Sequence, residues 1–243
     1  DDNSSYSGHD GLIDSGVNAT GAIAVLNIGS FRTWSRNVTS HNTSNGSFTF
    51  QEVPSSGWKY KHHMYFLTQK LELLDVPGEW FFDHESPLNT VYYMPRDGRD
   101  PNHLNIRMKT QPYAILCSDD DGVVVEGFDY FATTFRLDDC DGSEIRNSTL
   151  LYPSTSKRSL GYAGEDMDNR YVSRVDDCIG CLVDRCDFLY TDGAAFEAHG
   201  GASSSQNNTI NNSYFYHIDW SGSDQKSLMT VSYTHLRAHE TEA

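Results

Sequence analysis

Two stretches of this 243-residue chain repeat one another without a gap. Arg136 to Tyr152 (RLDDCDGSEIRNSTLLY) aligns with Arg174 to Tyr190 (RVDDCIGCLVDRCDFLY), an offset of 38. Both copies open on Arg, an apolar residue, Asp, Asp and Cys, carry Gly at the seventh position and close on Leu-Tyr. Weaker copies flank them: Val125, Phe128 and Tyr130 match Ile145, Ser148 and Leu150, then Val183, Cys186 and Phe188, then Ile210, Ser213 and Phe215. An internal repeat constrains a fold more than local propensity does, because each unit buries its apolar face on the next copy.

The spacings between copies are 20, 38 and 27 residues. A stack of coils, each needing roughly 20 residues, absorbs that irregularity, since insertions swell loops while the strands keep register. Stacked parallel strands rise about 4.8 Å per coil, so like residues form ladders, with Val125, Ile145, Val183 and Ile210 as one of them. Cys140 and Cys178 are equivalent positions and should be stacked neighbours within disulfide reach. An antiparallel sandwich would show hairpin turns instead. The expected fold is all-β: a right-handed parallel β-helix solenoid over 111–220, preceded by a small β-rich N-terminal segment over 1–110. In that segment Gly21 to Ile28 reads as a buried strand and 35–56, rich in Asn, Ser and Thr, as loop. Tyr65 to Leu74 reads as a short helix, and Trp80–Asp83 against Thr90–Pro95 as a hairpin.

Residues 73–102 (LLDVPGEWFFDHESPLNTVYYMPRDGRDPN), with FDYFATTFRLDDC and LLYPSTSKRSLG further on, resemble the right-handed β-helix proteins of the pectin-lyase-like superfamily. The similarity covers roughly residues 20 to 220. It implies the fold, and a glycoside hydrolase or another polysaccharide-active enzyme. One scaffold of this kind carries lyases, hydrolases, epimerases and inert adhesins, so substrate has to be argued from the site.

A net charge of −16 excludes phosphate backbones and anionic membranes as natural partners and leaves a polysaccharide or glycan substrate. No run of 18 apolar residues is present to span a membrane. Eight of the fifteen Asn (Asn3, Asn18, Asn37, Asn42, Asn45, Asn147, Asn207 and Asn211) open an Asn-x-Ser/Thr triplet, which points to a secreted, extracellular glycoprotein. The chain opens on Asp1 without Met or signal peptide, consistent with a fragment or processed end. Residues 231–241 (VSYTHLRAHET) resemble a translated sequencing adaptor, so 229–243 is read as a non-native tail expected to pack poorly. His235, His239 and Glu240 are therefore left out of every site.

Strand alternation places Phe135, Leu137, Val175, Phe196 and Ala198 inside. It places Arg136, Asp138, Arg174, Asp176, Glu197 and His199 outside on one sheet face. That mixture suits glycosidic cleavage, which needs a carboxylic acid to protonate the leaving oxygen and a second carboxylate as base or nucleophile. Glu197 is the first choice for the acid, expected to be solvent-accessible with Asp176 as its partner and Asp192 as its rival. Arg136, Arg174 and His199 would bind substrate, together with Lys157 and Arg158 on the insertion between the two strong repeats. An ordinary solvated face with Arg–Asp cross-strand pairs is the structural alternative.

Cys178, Cys181 and Cys186 lack the second cysteine pair of a zinc ribbon, so no metal is assigned. His62 and His63 have no ligand partner at metal spacing. No cofactor is called for. A polysaccharide lyase would want Ca²⁺ or an Arg or Lys base, for which no signature is present, and a non-catalytic carbohydrate-binding or surface-structural β-helix uses the same scaffold.

Overall fold

The computed structural model describes residues 5–6, 10–29, 32–53, 64–83, 85–155, 171–218, 229–231 and 237–238. The described residues divide into two compact units, one up to Arg107 and one from Met108 onward. Strands dominate both.

In the first unit β1 (Ser5–Tyr6), β2 (Ile23–Gly29), β3 (Arg32–Asn42), β4 (Ser47–Phe50) and β5 (Met64–Thr68) form an antiparallel sheet ordered β1-β4-β3-β2-β5. Residues 22–26 are all buried, so Gly21 to Ile28 is the inner strand its apolar run predicts. The expected loop over 35–56 is corrected: β3 and β4 occupy most of it. Val38, Phe48 and Phe50 point into the core, while Thr39 and Ser40 share hydroxyl bonds with Thr49 outside. Polar residues on a solvated face hid the period-2 pattern. The helix expected over Tyr65 to Leu74 is also corrected, to β5 followed by a 3₁₀ turn at Leu71–Leu73. β5 pairs with β2, and Tyr65 and Leu67 reach the core at strand spacing. β6 (Trp80–Asp83) and β7 (Thr90–Tyr93) form the expected hairpin.

The second unit is built from parallel ladders. One sheet joins β8 (Tyr113–Ser118), β11 (Thr134–Asp138), β13 (Ser173–Asp176), β15 (Phe196–His199) and β18 (Met229–Val231), in that order. A second sheet joins β12 (Glu144–Leu151), β14 (Leu182–Leu189), β16 (Thr209–Asn211) and β19 (Arg237–Ala238), with β9 (Val124–Glu126), β10 (Asp129–Phe131) and β17 (Tyr214–Tyr216) alongside. Val125, Ile145, Val183 and Ile210 pair in register and are buried, as the repeat predicts. Tyr130, Leu150, Phe188 and Phe215 also pair in register, the first three buried and Phe215 partly so, with the last two rings stacked 5.0 Å apart.

Beside these rows runs a ladder of hydroxyls. The N–H of Phe128 donates to Ser148 Oγ (3.2 Å), and that of Cys186 to Ser213 Oγ (3.1 Å). Each removes a buried donor that would otherwise be costly. The Cys140 N–H donates to Cys178 Sγ at 3.2 Å, so those two positions are neighbours in the stack.

β18 and β19 fall within the tail expected to pack poorly, and both extend the parallel sheets. Leu236 lies outside the described residues.

Candidate functional site

The site is built on the outer face of the sheet β8-β11-β13-β15. Leu137, Val175 and Ala198 stack inward, which turns their neighbours outward in two rows. One row is Arg136, Arg174 and Glu197; the other is Ser118, Asp138, Asp176 and His199. Stacked like charges are unfavourable on a sheet, and here the two rows neutralise each other. Arg136 Nη2 lies 2.8 Å from Asp138, Arg136 Nε 3.0 Å from Asp176, and Arg174 Nε 2.7 Å from Asp176. Glu197 Oε2 lies 3.0 Å from His199 Nε2.

All six residues expected on this face are therefore brought together. The expected accessibility of Glu197 is corrected: it is 1% exposed, while His199 beside it keeps 31% of its side chain in solvent. Asp176 is buried as well. Asp192, the rival acid, is half-buried and lines no part of the cleft described below. Its charge acts on Lys109, which burial drives down to about 8 against the opposing pull of Asp192. Lys157 and Arg158 lie outside the described residues.

Where the sheet turns toward β9, β12 and β14, a second feature appears that sequence reasoning passed over. Asp119, Asp139 and Asp177 take left-handed backbone at φ 58°, 53° and 45°, which Asp tolerates better than most residues. Their N–H groups donate to the carbonyls of Asp138, Asp176 and His199, so the turn is stitched to the next strand each time. A cleft of about 560 Å³ opens here, lined by Ser118, Asp119, Asp138, Asp139, Asp177 and Ser204. Asp139 is exposed, and its carboxyl is shifted upward from its ordinary value by lost hydration at the turn, helped by the charges of Asp119, Asp141, Asp121 and Asp177. Gly200 packs against this turn, and a Cβ there would fall 2.6 Å from Asp177 Oδ1 and from Ser205 Cβ. The Asp-Asp pair of the repeat was the signal for these residues; its first Asp was read onto the outer face and its second, Asp139 or Asp177, was given no role.

The closing Tyr of each repeat builds a third feature. Phe131, Tyr152, Tyr190 and Tyr216 are exposed, with successive ring centroids 5.9, 5.8 and 5.5 Å apart. His217 stacks on Tyr190 at 4.9 Å. Flat rings exposed in a row offer stacking surfaces to sugar faces.

Among the described residues no three His, Cys, Asp or Glu side chains converge as a metal site, and no helix is long and apolar enough to cross a membrane. Comparison of the chain with family models, with curated proteins and with solved structures returned no match.

Proposed function

We propose that this chain is an extracellular polysaccharide-active enzyme, a glycoside hydrolase working with paired carboxylates on one face of a right-handed, pectin-lyase-like parallel β-helix. The in-register parallel ladders support the solenoid. The chain visits β8, β9 and β10, then returns to pair β11 on β8, and later strands continue the same circuit. The eight sequons support a secretory route.

The observation that carries the chemistry is one cleft lined by carboxylates in two different electrostatic conditions. Asp138 is ion-paired with Arg136 at 2.8 Å, while the carboxyl of its neighbour Asp139 is shifted upward by lost hydration and by the aspartates around it. Glycosidic cleavage requires that pairing, an acid that retains its proton and a partner that stays charged. Asp139 would protonate the leaving oxygen. Asp138 would act on the opposite side as base or nucleophile. Glu197 becomes a positioning residue that orients the half-exposed imidazole of His199, and Arg136 and Arg174 offer donors to sugar hydroxyls or acidic sugars.

The test is turnover on a panel of neutral and acidic polysaccharides, using full-length protein secreted from eukaryotic cells. Asp138→Asn and Asp139→Asn should each lower kcat by on the order of a hundredfold or more without loss of fold. Product anomeric configuration then separates retaining from inverting chemistry, and an unsaturated product would mean a lyase instead. No turnover on any member of the panel, or undiminished turnover in both variants, overturns the proposal.

A non-catalytic glycan binder is the second reading, favoured by the exposed aromatic row. In that case both Asp variants would bind as tightly as the parent, and Tyr152→Ala or Tyr190→Ala would not.

A further inference from the structure

All five cysteines are buried, and two of them face each other. Cys117 lies near the end of β8, and Cys140 follows the end of β11 on the adjacent strand. Their Sγ atoms are 2.6 Å apart, closer than two unbonded sulfur atoms rest. The register partner of Cys117 is Leu137, so a straight continuation of β11 would carry Cys140 away from it. The left-handed turn at Asp139 (φ 53°) brings Cys140 back over the Cys117 side chain.

The other sulfurs make hydrogen bonds, and Cys178 and Cys181 share one through their side chains. Cys178 Sγ donates to the Asp176 carbonyl at 3.0 Å, and Cys181 Sγ to the Cys140 carbonyl at 2.9 Å. Cys186 Sγ lies 3.5 Å from the Asp184 carbonyl, in a different part of the core.

We propose that Cys117 and Cys140 form a disulfide that staples β8 to β11. Each thiol gives up its proton and one electron as the S–S bond forms. A low-molecular-weight disulfide takes both electrons and both protons and leaves as two thiols, through a mixed disulfide on one cysteine that the thiolate of the other resolves. In the closed core burial pushes the Cys117 thiol up to about 12, so little thiolate is present there. The exchange therefore belongs to folding, before β8 and β11 seal over the pair. Once formed, the bond is out of reach of reductant in the native state.

Full chain refolded in a buffer of reduced and oxidised glutathione is denatured, alkylated and mapped by mass spectrometry without reduction. The expected result is alkylation at Cys178, Cys181 and Cys186 and one linked peptide joining Cys117 to Cys140. Cys117→Ser and Cys140→Ser should each give four alkylated cysteines, and Cys178→Ser should leave the linked peptide in place. Reducing the bond under denaturant should shift the folding equilibrium toward the unfolded chain by about a hundredfold. Five alkylated cysteines in the parent protein, or a bridge that includes Cys178 or Cys181, overturns the assignment.

Discussion

Arg136 Nε lies 3.0 Å from Asp176, a residue on the next strand, while Nη2 of the same guanidinium lies 2.8 Å from Asp138. One cation thus ties together carboxylates stacked on successive strands, and Arg174 closes the set on Asp176 from the other side. Asp176 is therefore the keystone of the face. Its removal leaves two stacked guanidinium groups with no buried counter-charge between them.

Asp176→Ala should cost about 3 kcal/mol of stability, the scale for breaking a buried ion pair by deleting one partner. Urea unfolding of parent and variant measures it. A loss under about 1 kcal/mol, the scale of exposed pairs, would mean the cluster is solvated in practice.

Glu197→Gln and His199→Ala should each lower kcat/KM by about tenfold, chiefly through KM, because the buried carboxylate orients the imidazole that binds substrate. The double variant should then be no slower than the poorer single one. Steady-state kinetics on the three proteins decide this, and additive losses would mean that the two residues act separately.

Asp139 has a folded-state pKa above its unfolded value, so its ionisation opposes folding. That opposition is absent below the unfolded pKa and fully present above the folded one. Asp139→Asn should therefore raise the thermal midpoint at pH 7 and leave it unchanged near pH 3. An equal shift at both pH values would assign the effect to packing rather than to charge.

Phe188 sits at the centre of the apolar ladder, stacked on Phe215 and edge-on to Phe196 at 6.5 Å. Phe188→Ala should destabilise by about 3–5 kcal/mol, read from the same urea titrations. Phe188→Leu, which refills most of the volume, should lose less than half of that.

The ladders were legible because stacking writes itself into sequence as a repeat, and Ile145 over Val183 is visible without coordinates. The outward direction of Glu197 was equally legible from its place between Phe196 and Ala198. Its burial was not, because alternation says which side of a sheet a residue takes and nothing about what lies over that side. Asp138 was read onto the outer face from the start, whereas Asp139, next to it and repeated as Asp177 in the other strong copy, looked like scaffold. Strands β3 and β4 went unread for the opposite reason: Thr39, Ser40 and Thr49 bond to one another on an outer face, and composition alone gives that face the look of a loop.

The connections that lead back to the site-bearing sheet differ widely in length, spanning 132–133, 152–172 and 190–195, while β11, β13 and β15 stay in register. Pairing between strands absorbs whatever is inserted between them. A lineage carrying this chain can therefore lengthen, shorten or exchange those connections without shifting any of Arg136, Arg174 and Glu197 against its neighbours. The face that carries the charged residues and the loops that vary around it are thereby placed on separate parts of the chain, and if the proposed activity holds, grafting new loops at these junctions is where an attempt to redirect its specificity should begin.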